Sequence, residues 1–276
     1  MGIGLMSVHR KKHSLLLLTN LQAAVANVSN IVMRFAPIGI FCIGWRAAAT
    51  VDPSDLDGLV VYIATSAVIV FLLTFVVLPT IVAIVTPFGY RQIMRVSREA
   101  MVTAFATGSF FVVIPIIVEK TKQLITSQYP NTDNAEKVSE VIVPICFSLP
   151  VGGKLLSLLF VLFAAWFSGA YISFQDYIQL VVIGIPQLFG TSTLAMKSLL
   201  ELFNVSGSMF DFFIVAENLA VGRLSALLSV TFASCLPILV ATSMAKAFRL
   251  KKRVLIKNLA IIPVLSIVAF IGLQFA

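Results

Sequence analysis

Two apolar stretches of this chain are long enough for a membrane, yet each is interrupted near its middle. The first, Val96 to Thr126, contains Gly108, and the second, Ser173 to Phe203, contains Pro186 and Gly190. Backbone that leaves a helix at membrane depth survives only when it is buried in protein or lines a wet cavity, because lipid offers the freed N–H and C=O groups no partner. Each stretch is therefore predicted to form two half-helices folded back as a re-entrant hairpin.

Each predicted hairpin is followed by a long apolar helix with an interruption of its own. The first helix is interrupted at Pro150, Gly152 and Gly153, and the second near Gly222. Four breaks in two matching halves indicate a transport site near the bilayer midplane. The predicted fold is an all-α integral membrane protein, an inverted-repeat transporter core with two re-entrant helical hairpins and two broken transmembrane helices.

Composition supports the membrane assignment and excludes other classes. Hydrophobic residues make up 59% of the chain and charged residues only 12%. A chain of this composition cannot form enough polar surface for a soluble globular protein of this length. The net charge of +8 comes mostly from short loops without interleaved aromatic residues, so nucleic acid is not an expected partner. Cys42, Cys146 and Cys235 lack metal-ligand spacing and are expected to be small buried hydrophobes. No enzyme signature or cofactor motif is recognised.

Charge also predicts the topology. If both hairpins re-enter, most Lys and Arg fall on one side, and the loops of the other side carry six acidic residues and few basic ones. A single complete crossing by either hairpin would abolish this separation. Lys and Arg accumulate in cytoplasmic loops, so we expect a multi-pass protein of the cell inner (plasma) membrane with its N-terminus in the cytoplasm. The first hairpin then opens to the cytoplasm and the second to the outside. The basic set is Arg10, Lys11, Lys12, Arg91, Arg95, Arg98, Lys120, Lys122, Lys137, Lys246, Arg249, Lys251, Lys252 and Arg253, and the acidic set is Asp52, Asp55, Asp57, Asp176, Glu201 and Asp211, with Arg46 and Lys197 as exceptions.

Three local sequences carry a resemblance to a known family. They are Asn27 to Phe41 (NVSNIVMRFAPIGIF), Glu99 to Thr107 (EAMVTAFAT) leading into Gly108 and Ser109, and the pair Gly222–Arg223. Together with the order of helices, they resemble the dicarboxylate/amino acid:cation symporter family, which includes the glutamate transporters. The resemblance runs from about the start of the chain to about Ala247, and the family's first helices have no counterpart here.

The resemblance implies that three parts of the chain have different roles. Residues 1–90 correspond to part of the supporting scaffold, residues 91–247 to the transport core, and residues 248–276 to an additional transmembrane helix, Val254 to Phe275. Because most scaffold helices of the family have no counterpart, either this chain is a fragment or a partner supplies them. The resemblance also implies a homotrimer built through such scaffold helices.

Arg223 is the first candidate for binding substrate. A guanidinium at membrane depth is costly unless paired, and its planar fork suits a carboxylate. In the family, the matching arginine binds the distal carboxylate of an acidic substrate. The alternatives are that Arg223 extends to lipid headgroups or pairs with Glu217. The family's acidic residue before this arginine is Ala220 here, which favours a dicarboxylate over an amino acid.

The hairpin tips and the first helix break supply the other substrate candidates. Gly108 and Ser109 in the first tip, and Gly190 and Thr191 in the second, offer hydroxyls and free backbone N–H groups that favour an anion. Thr191 could instead simply cap the following helix. Lys154 stands where the family has a hydroxyl, and its ammonium could neutralise exposed carbonyls or attract an anion. Alternatively, Lys154 extends out of the break or forms a salt bridge with Glu217.

The family's cation-binding pattern is largely replaced. Its N-M-D-G-T motif reads Pro150 to Lys154 here, and its Asn and Asp in the last core helix are Leu227 and Thr231. A carbonyl site at Gly152 and Gly153 remains, or Glu217 takes up a proton. The coupling cation could therefore be Na⁺ or H⁺, and coupling itself is open.

The function expected from these features is secondary active symport of a small carboxylate-bearing anion, a C4-dicarboxylate first of all, by an elevator-type movement. Membrane lipid and the small substrate are the expected partners. Two alternatives stay open: a membrane module that binds or senses its ligand without transporting it, and an anion-conducting pore.

Overall fold

The computed structural model describes residues 56–130, 135–149, 152–170 and 172–249, with scattered positions between residues 16 and 45. The chain divides into two compact units, residues 1–50 and 51–276. In the first unit the described positions are helical and expose large apolar side chains such as those of Phe35 and Trp45. The predictions for Pro150, Val151 and the helix 254–275 lie outside the described residues, as does the basic loop at residues 9–13.

Every regular element of the second unit, within its described residues, is helical. Among the described residues, three helical segments are long and apolar enough to cross a membrane: Gly58–Val85, Lys137–Phe167 (apart from residues 150–151, which are not described) and Ser208–Met244. For the part of the chain that the structure describes, an all-helical fold with segments able to span a membrane is therefore confirmed. The elements are α1 (Leu56–Phe71), a π-helical turn π1 (Leu72–Val77), α2 (Leu78–Val85), α3 (Tyr90–Thr107), α4 (Phe110–Gln128), α5 (Ala135–Ser148), α6 (Gly153–Leu156), α7 (Leu158–Phe167), α8 (Phe174–Gln187), α9 (Ser192–Leu202), α10 (Ser208–Ala216), a second π-helical turn π2 (Glu217–Val221) and α11 (Gly222–Met244).

The first predicted hairpin is a helix–turn–helix unit. Helices α3 and α4 pack against each other and are joined by Gly108, whose left-handed conformation (φ 68°, ψ 12°) suits a residue without a Cβ. The middles of the two helices are linked by an ion pair between Lys120 Nζ and Glu99 Oε2 at 3.0 Å. The chain does turn back at Gly108. Its re-entry into the bilayer stays a prediction.

The second predicted hairpin comprises α8 and α9, which also contact each other. The turn lies at residues 188–191, so Pro186 sits inside the last turn of α8 and does not interrupt it. The expected break at Pro186 is therefore wrong, while the one at Gly190 lies within the turn. A proline beyond the first turn removes one backbone hydrogen bond and its ring presses on the carbonyl four residues earlier, and α8 ends one residue after Pro186.

The first long helix departs from helical geometry at Gly152, as predicted, whereas Gly153 is already the first residue of α6. Gly152 has a φ of +31°, and α6 begins immediately after it. A Cβ on Gly153 would overlap the carbonyl oxygen of Ser225 and stand 2.5 Å from Ser229 Oγ. The Gly153 N–H donates to that same hydroxyl at 3.2 Å. The backbone of α6 therefore lies directly against the backbone of α11.

The second long helix is not broken near Gly222, and that prediction is wrong. Gly222 has helical angles (φ −62°, ψ −38°), and the helix widens into the π2 turn just before it. A Cβ at Gly222 would come within 2.7 Å of the Glu217 carbonyl oxygen, so the glycine makes room for the wider turn without ending the helix. Such π turns are rare and frequently occur at functional sites.

Helix α11 is the centre of the second unit. In the span Ser208–Met244, 72% of the most apolar window is buried, against 39% in Gly58–Val85. Helices α3, α4, α5 and α6 all contact α11. An aromatic cluster closes the core beside it, with Phe160 stacked edge-on to Tyr62 at 5.1 Å and to Phe213 at 5.2 Å between ring centroids. Edge-to-face pairs of this kind stabilise a core beyond the area they bury.

The close contact at Gly153 predicts a position-specific loss of stability. We expect Gly153→Ala to destabilise the protein by about 1–3 kcal/mol, the usual range for overpacking, because the added methyl group meets a backbone carbonyl. The control is Gly207→Ala, since a Cβ at Gly207 would meet nothing within 4 Å. Thermal unfolding of the purified variants in detergent measures both. Equal melting temperatures for the two variants would contradict the close contact.

Re-entry of the first hairpin predicts the side from which its ends are labelled. In a Cys42→Ala background, we expect Gln92→Cys and Gln128→Cys both to react with a membrane-impermeant maleimide from the cytoplasmic side. A single complete crossing would instead place these ends on opposite sides. Ser109→Cys tests the turn itself, and labelling of it only from the outside would mean that each helix crosses fully.

Candidate functional site

A cavity of about 150 Å³ lies where both hairpins, the broken helix and the π2 turn meet. This volume is well above the roughly 10–15 Å³ that one buried water needs, so the cavity admits a small solute. The four irregular backbone regions therefore converge on one place. Its lining residues are Gly108, Phe110, Cys146, Phe147, Leu149, Gly153, Lys154, Ser157, Ser192, Glu217, Gly222, Ser225, Ala226 and Ser229.

Two helix N-termini border this cavity. Phe110 is the first residue of α4 and Ser192 is the first residue of α9. The preceding Ser109 makes no capping hydrogen bond through its side chain, so the first N–H groups of α4 lack that partner. The unpaired N–H groups and the helix dipole both favour negative charge at such an end. The cavity is thus suited to an anion.

Lys154 crosses the cavity toward the second hairpin. Its side chain is half-buried, and Nζ donates a long hydrogen bond of 3.5 Å to the carbonyl oxygen of Gly190. Lys154 and Gly190, both predicted from sequence, are therefore in contact. Lys154 and Glu217 line the same cavity, yet they form no ion pair in the described part of the chain.

Glu217 carries a buried carboxylate oxygen without a partner. Its Oε2, like the hydroxyl of Ser225, is buried and accepts or donates no hydrogen bond within the described residues. Leaving polar groups buried and unsatisfied is costly, most of all for a charged group. Because both groups line the cavity, a ligand there would satisfy them.

Arg223 lies beside the cavity and is not among its lining residues. Its side chain is exposed, and a Cβ on Gly108 would stand 3.6 Å from Arg223 Cγ. The aliphatic part of Arg223 therefore runs along the turn of the first hairpin. The alternative pairing of Arg223 with Glu217 is not formed among the described residues.

Thr191 is the N-cap residue of α9. Its Oγ1 accepts a hydrogen bond from the Leu194 N–H at 3.4 Å and so caps α9. Like Ser109 and Gly152, Thr191 borders the cavity region without lining the cavity itself. Among the predicted residues, Gly108, Gly153, Lys154 and Glu217 do line it.

Sequence reasoning missed the serines of the site. Ser192, Ser225 and Ser229 all line the cavity. A signal for two of them was present, because Gly222, Ser225, Ala226 and Ser229 have the i, i+3, i+4, i+7 spacing of one helix face. Small residues on one face permit close approach of another backbone.

The cavity contains buried oxygens that could bind a hard cation or a proton. No cluster of His, Cys, Asp and Glu able to hold a metal occurs within the ranges that the structure describes. The free donors are oxygens, namely the carboxylate of Glu217 and the hydroxyl of Ser225. Hard cations take such ligands, although these two alone make an incomplete cage.

Comparison with known proteins gives one result on the family. No solved structure matches the chain. The model of the sodium:dicarboxylate symporter family matches residues 1–243, which is most of the 276 residues and covers the whole candidate site. The resemblance inferred from the three local sequences is thereby confirmed, and the chain belongs to the sodium:dicarboxylate symporter family.

Proposed function

We propose that this chain carries a small anion with two carboxylate groups, a C4-dicarboxylate, across the membrane together with a cation. Membership of the family implies symport-type transport in general, and the site supports the finer assignment. The observation that carries the proposal is the cavity of about 150 Å³, which two helix N-termini and the ammonium of Lys154 border. These three positive features favour an anion, and the small volume favours a short one.

Two cations suit two carboxylates. Lys154 lines the cavity, and Arg223 runs along the Gly108 turn at its edge. In the proposed complex, Lys154 meets one carboxylate and the guanidinium of Arg223 holds the other through two hydrogen bonds. A monocarboxylate would leave one of these cations without its partner.

Glu217 and Ser225 are proposed to bind the coupling cation. Their oxygens have no hydrogen-bond partner among the described residues. Na⁺ could be coordinated by these oxygens, and H⁺ could protonate the Glu217 carboxylate. Because the cation neutralises a carboxylate in the cavity, it would also remove repulsion against the anionic substrate. Each ligand then favours binding of the other, and this mutual effect is the physical basis of symport.

The proposed movement is that of an elevator. Helices α3, α4, α5 and α6 all contact α11, which supports a core that moves as one body. In this proposal residues 91–247 form that core, residues 1–90 belong to the scaffold, and a partner supplies the remaining scaffold helices. The assembly is a homotrimer, and the basic loops face the cytoplasm from the plasma membrane.

Uptake into liposomes tests the function. Reconstituted protein should accumulate labelled succinate in a saturable way when a Na⁺ or H⁺ gradient is imposed, with K⁺ as the control cation. Binding without uptake would favour a sensor, and non-saturable flux that follows only the membrane potential would favour a pore. Either result would overturn the proposal.

Arg223→Lys should raise the KM for succinate about 10- to 100-fold. The lysine keeps the charge and loses the two-point contact, and a hydrogen bond to a charged group contributes about 1.5–3 kcal/mol. Arg249→Lys is the matched control, because Arg249 follows α11 and does not line the cavity. An unchanged KM in Arg223→Lys would remove this residue from the site.

Glu217→Gln should uncouple uptake from the cation gradient. The amide keeps the shape of the side chain and cannot take up a proton or neutralise Na⁺, so gradient-driven accumulation is lost while exchange of internal for external succinate remains. Glu201→Gln, at the end of α9 and outside the cavity, should behave as the unaltered protein. Retained dependence on the gradient in Glu217→Gln would place coupling elsewhere.

A further inference from the structure

A second and larger recess lies apart from the candidate site. It is a groove of about 790 Å³ along α3, facing the π1 turn and the end of α1. None of its lining residues lines the smaller cavity. The groove differs along its length, because α3 contributes arginines from its first turns and apolar side chains from its last turns. We call it the α3 groove, and its lining residues are Phe71, Phe75, Tyr90, Arg91, Met94, Arg95, Arg98, Met101, Val102, Phe105, Ala106 and Leu227.

Three arginines give one end of the groove a strong positive charge. Arg91, Arg95 and Arg98 have the i, i+4, i+7 spacing of one helix face and span about 10 Å along the axis. All three side chains are exposed. The neighbouring Glu99 is paired with Lys120 on α4, and none of the three arginines has an ion pair or hydrogen bond to another described residue. Their charge is available to a ligand.

The rest of the groove is apolar, and the side opposite α3 is formed by the end of α1 and the π1 turn. The rings of Phe71 and Phe75 stack at 5.7 Å between centroids, and the Tyr90 hydroxyl donates to the Phe75 carbonyl oxygen at 2.6 Å. This bond ties the π1 turn to the start of α3. On α3, Val102 is 65% exposed and Phe105 is 46% exposed. Their apolar surface can be covered by a ligand.

We propose that the α3 groove binds one anionic phospholipid. Its phosphate would contact Arg91, Arg95 and Arg98, and an acyl chain would lie along Phe71, Phe75 and Phe105. A groove that is cationic at one end and apolar at the other matches an amphiphile, whereas a free phosphate would leave the apolar part uncovered. The predicted topology also places these arginines at the cytoplasmic leaflet, where anionic lipids attract basic residues near the membrane.

Lipid binding to the purified full chain in neutral detergent tests this proposal. Native mass spectrometry should show phosphatidylglycerol binding in preference to phosphatidylcholine of the same acyl chains. The triple variant Arg91→Gln, Arg95→Gln, Arg98→Gln should lose about a hundredfold in affinity, since each basic residue near the surface contributes about fivefold. The control triple variant Lys197→Gln, Lys246→Gln, Arg249→Gln removes the same charge away from the groove and should retain the affinity within about twofold.

The apolar end and the source of the phosphate are tested separately. Phe105→Ala should weaken long-chain phosphatidylglycerol and leave a short-chain analogue unchanged, and inorganic phosphate should not displace the lipid. Thermal unfolding checks that every variant is folded. Equal binding of the two lipids, equal losses in the two triple variants, or displacement by phosphate alone would each overturn the proposal. A change in oligomeric mass without a change in lipid binding would instead assign the groove to a protein partner.

Discussion

The site depends on the contact between the backbone of α6 and the backbone of α11. Gly153 lies against the Ser225 carbonyl and donates its N–H to Ser229, which no residue with a side chain could do without displacing a helix. The next residue, Lys154, is thereby held at the cavity with its ammonium near Gly190 of the second hairpin. One close approach of two backbones thus connects the broken helix, the central helix and a hairpin turn.

The charges around the cavity are arranged for two ligands of opposite sign. Helix N-termini at Phe110 and Ser192 and the ammonium of Lys154 favour an anion, whereas Glu217 and Ser225 present unsatisfied oxygens to the same space. Because the protein around them is less polarisable than water, opposite charges in such a recess interact more strongly than in bulk solvent. The proposed substrate and coupling cation would therefore stabilise each other through proximity, without a relay across the protein.

Helix α3 links this cavity to the α3 groove. Its last residue precedes Gly108 at the cavity, while its first half carries Arg91, Arg95 and Arg98, which form no ion pair with another described residue. A helix of 18 residues is about 27 Å long. The arginines proposed to bind the phosphate lie in its first half, whereas Phe105 brings the proposed acyl-chain contact close to the Gly108 turn at the cavity. Packing between the two helices keeps α4 aligned with α3, and the exposed ion pair of Glu99 with Lys120 bridges their middles.

The sequence alone determined the features that depend on local chemistry. Long apolar runs are predictable because few polar residues can be placed in lipid, and the turns at Gly108 and Gly152 are predictable because their backbone conformations suit glycine. The family resemblance could be read from three short segments. The local sequence also identified Lys154, Glu217, Gly108 and Gly153, which line the cavity.

Only the tertiary structure decided how those elements meet. A glycine within an apolar helix is compatible either with a break in the helix or with a close contact. At Gly222 the helix stays continuous, and the glycine makes room for the Glu217 carbonyl in the wider π2 turn. Arg223 was predicted because an arginine in an apolar helix is rare, yet its aliphatic stem packs along Gly108 and it does not line the cavity. Ser192, Ser225 and Ser229 do line the cavity, because segments distant in the chain approach them there. Local propensity acts over a few residues, but which side chains face a shared space depends on contacts between segments far apart in the chain.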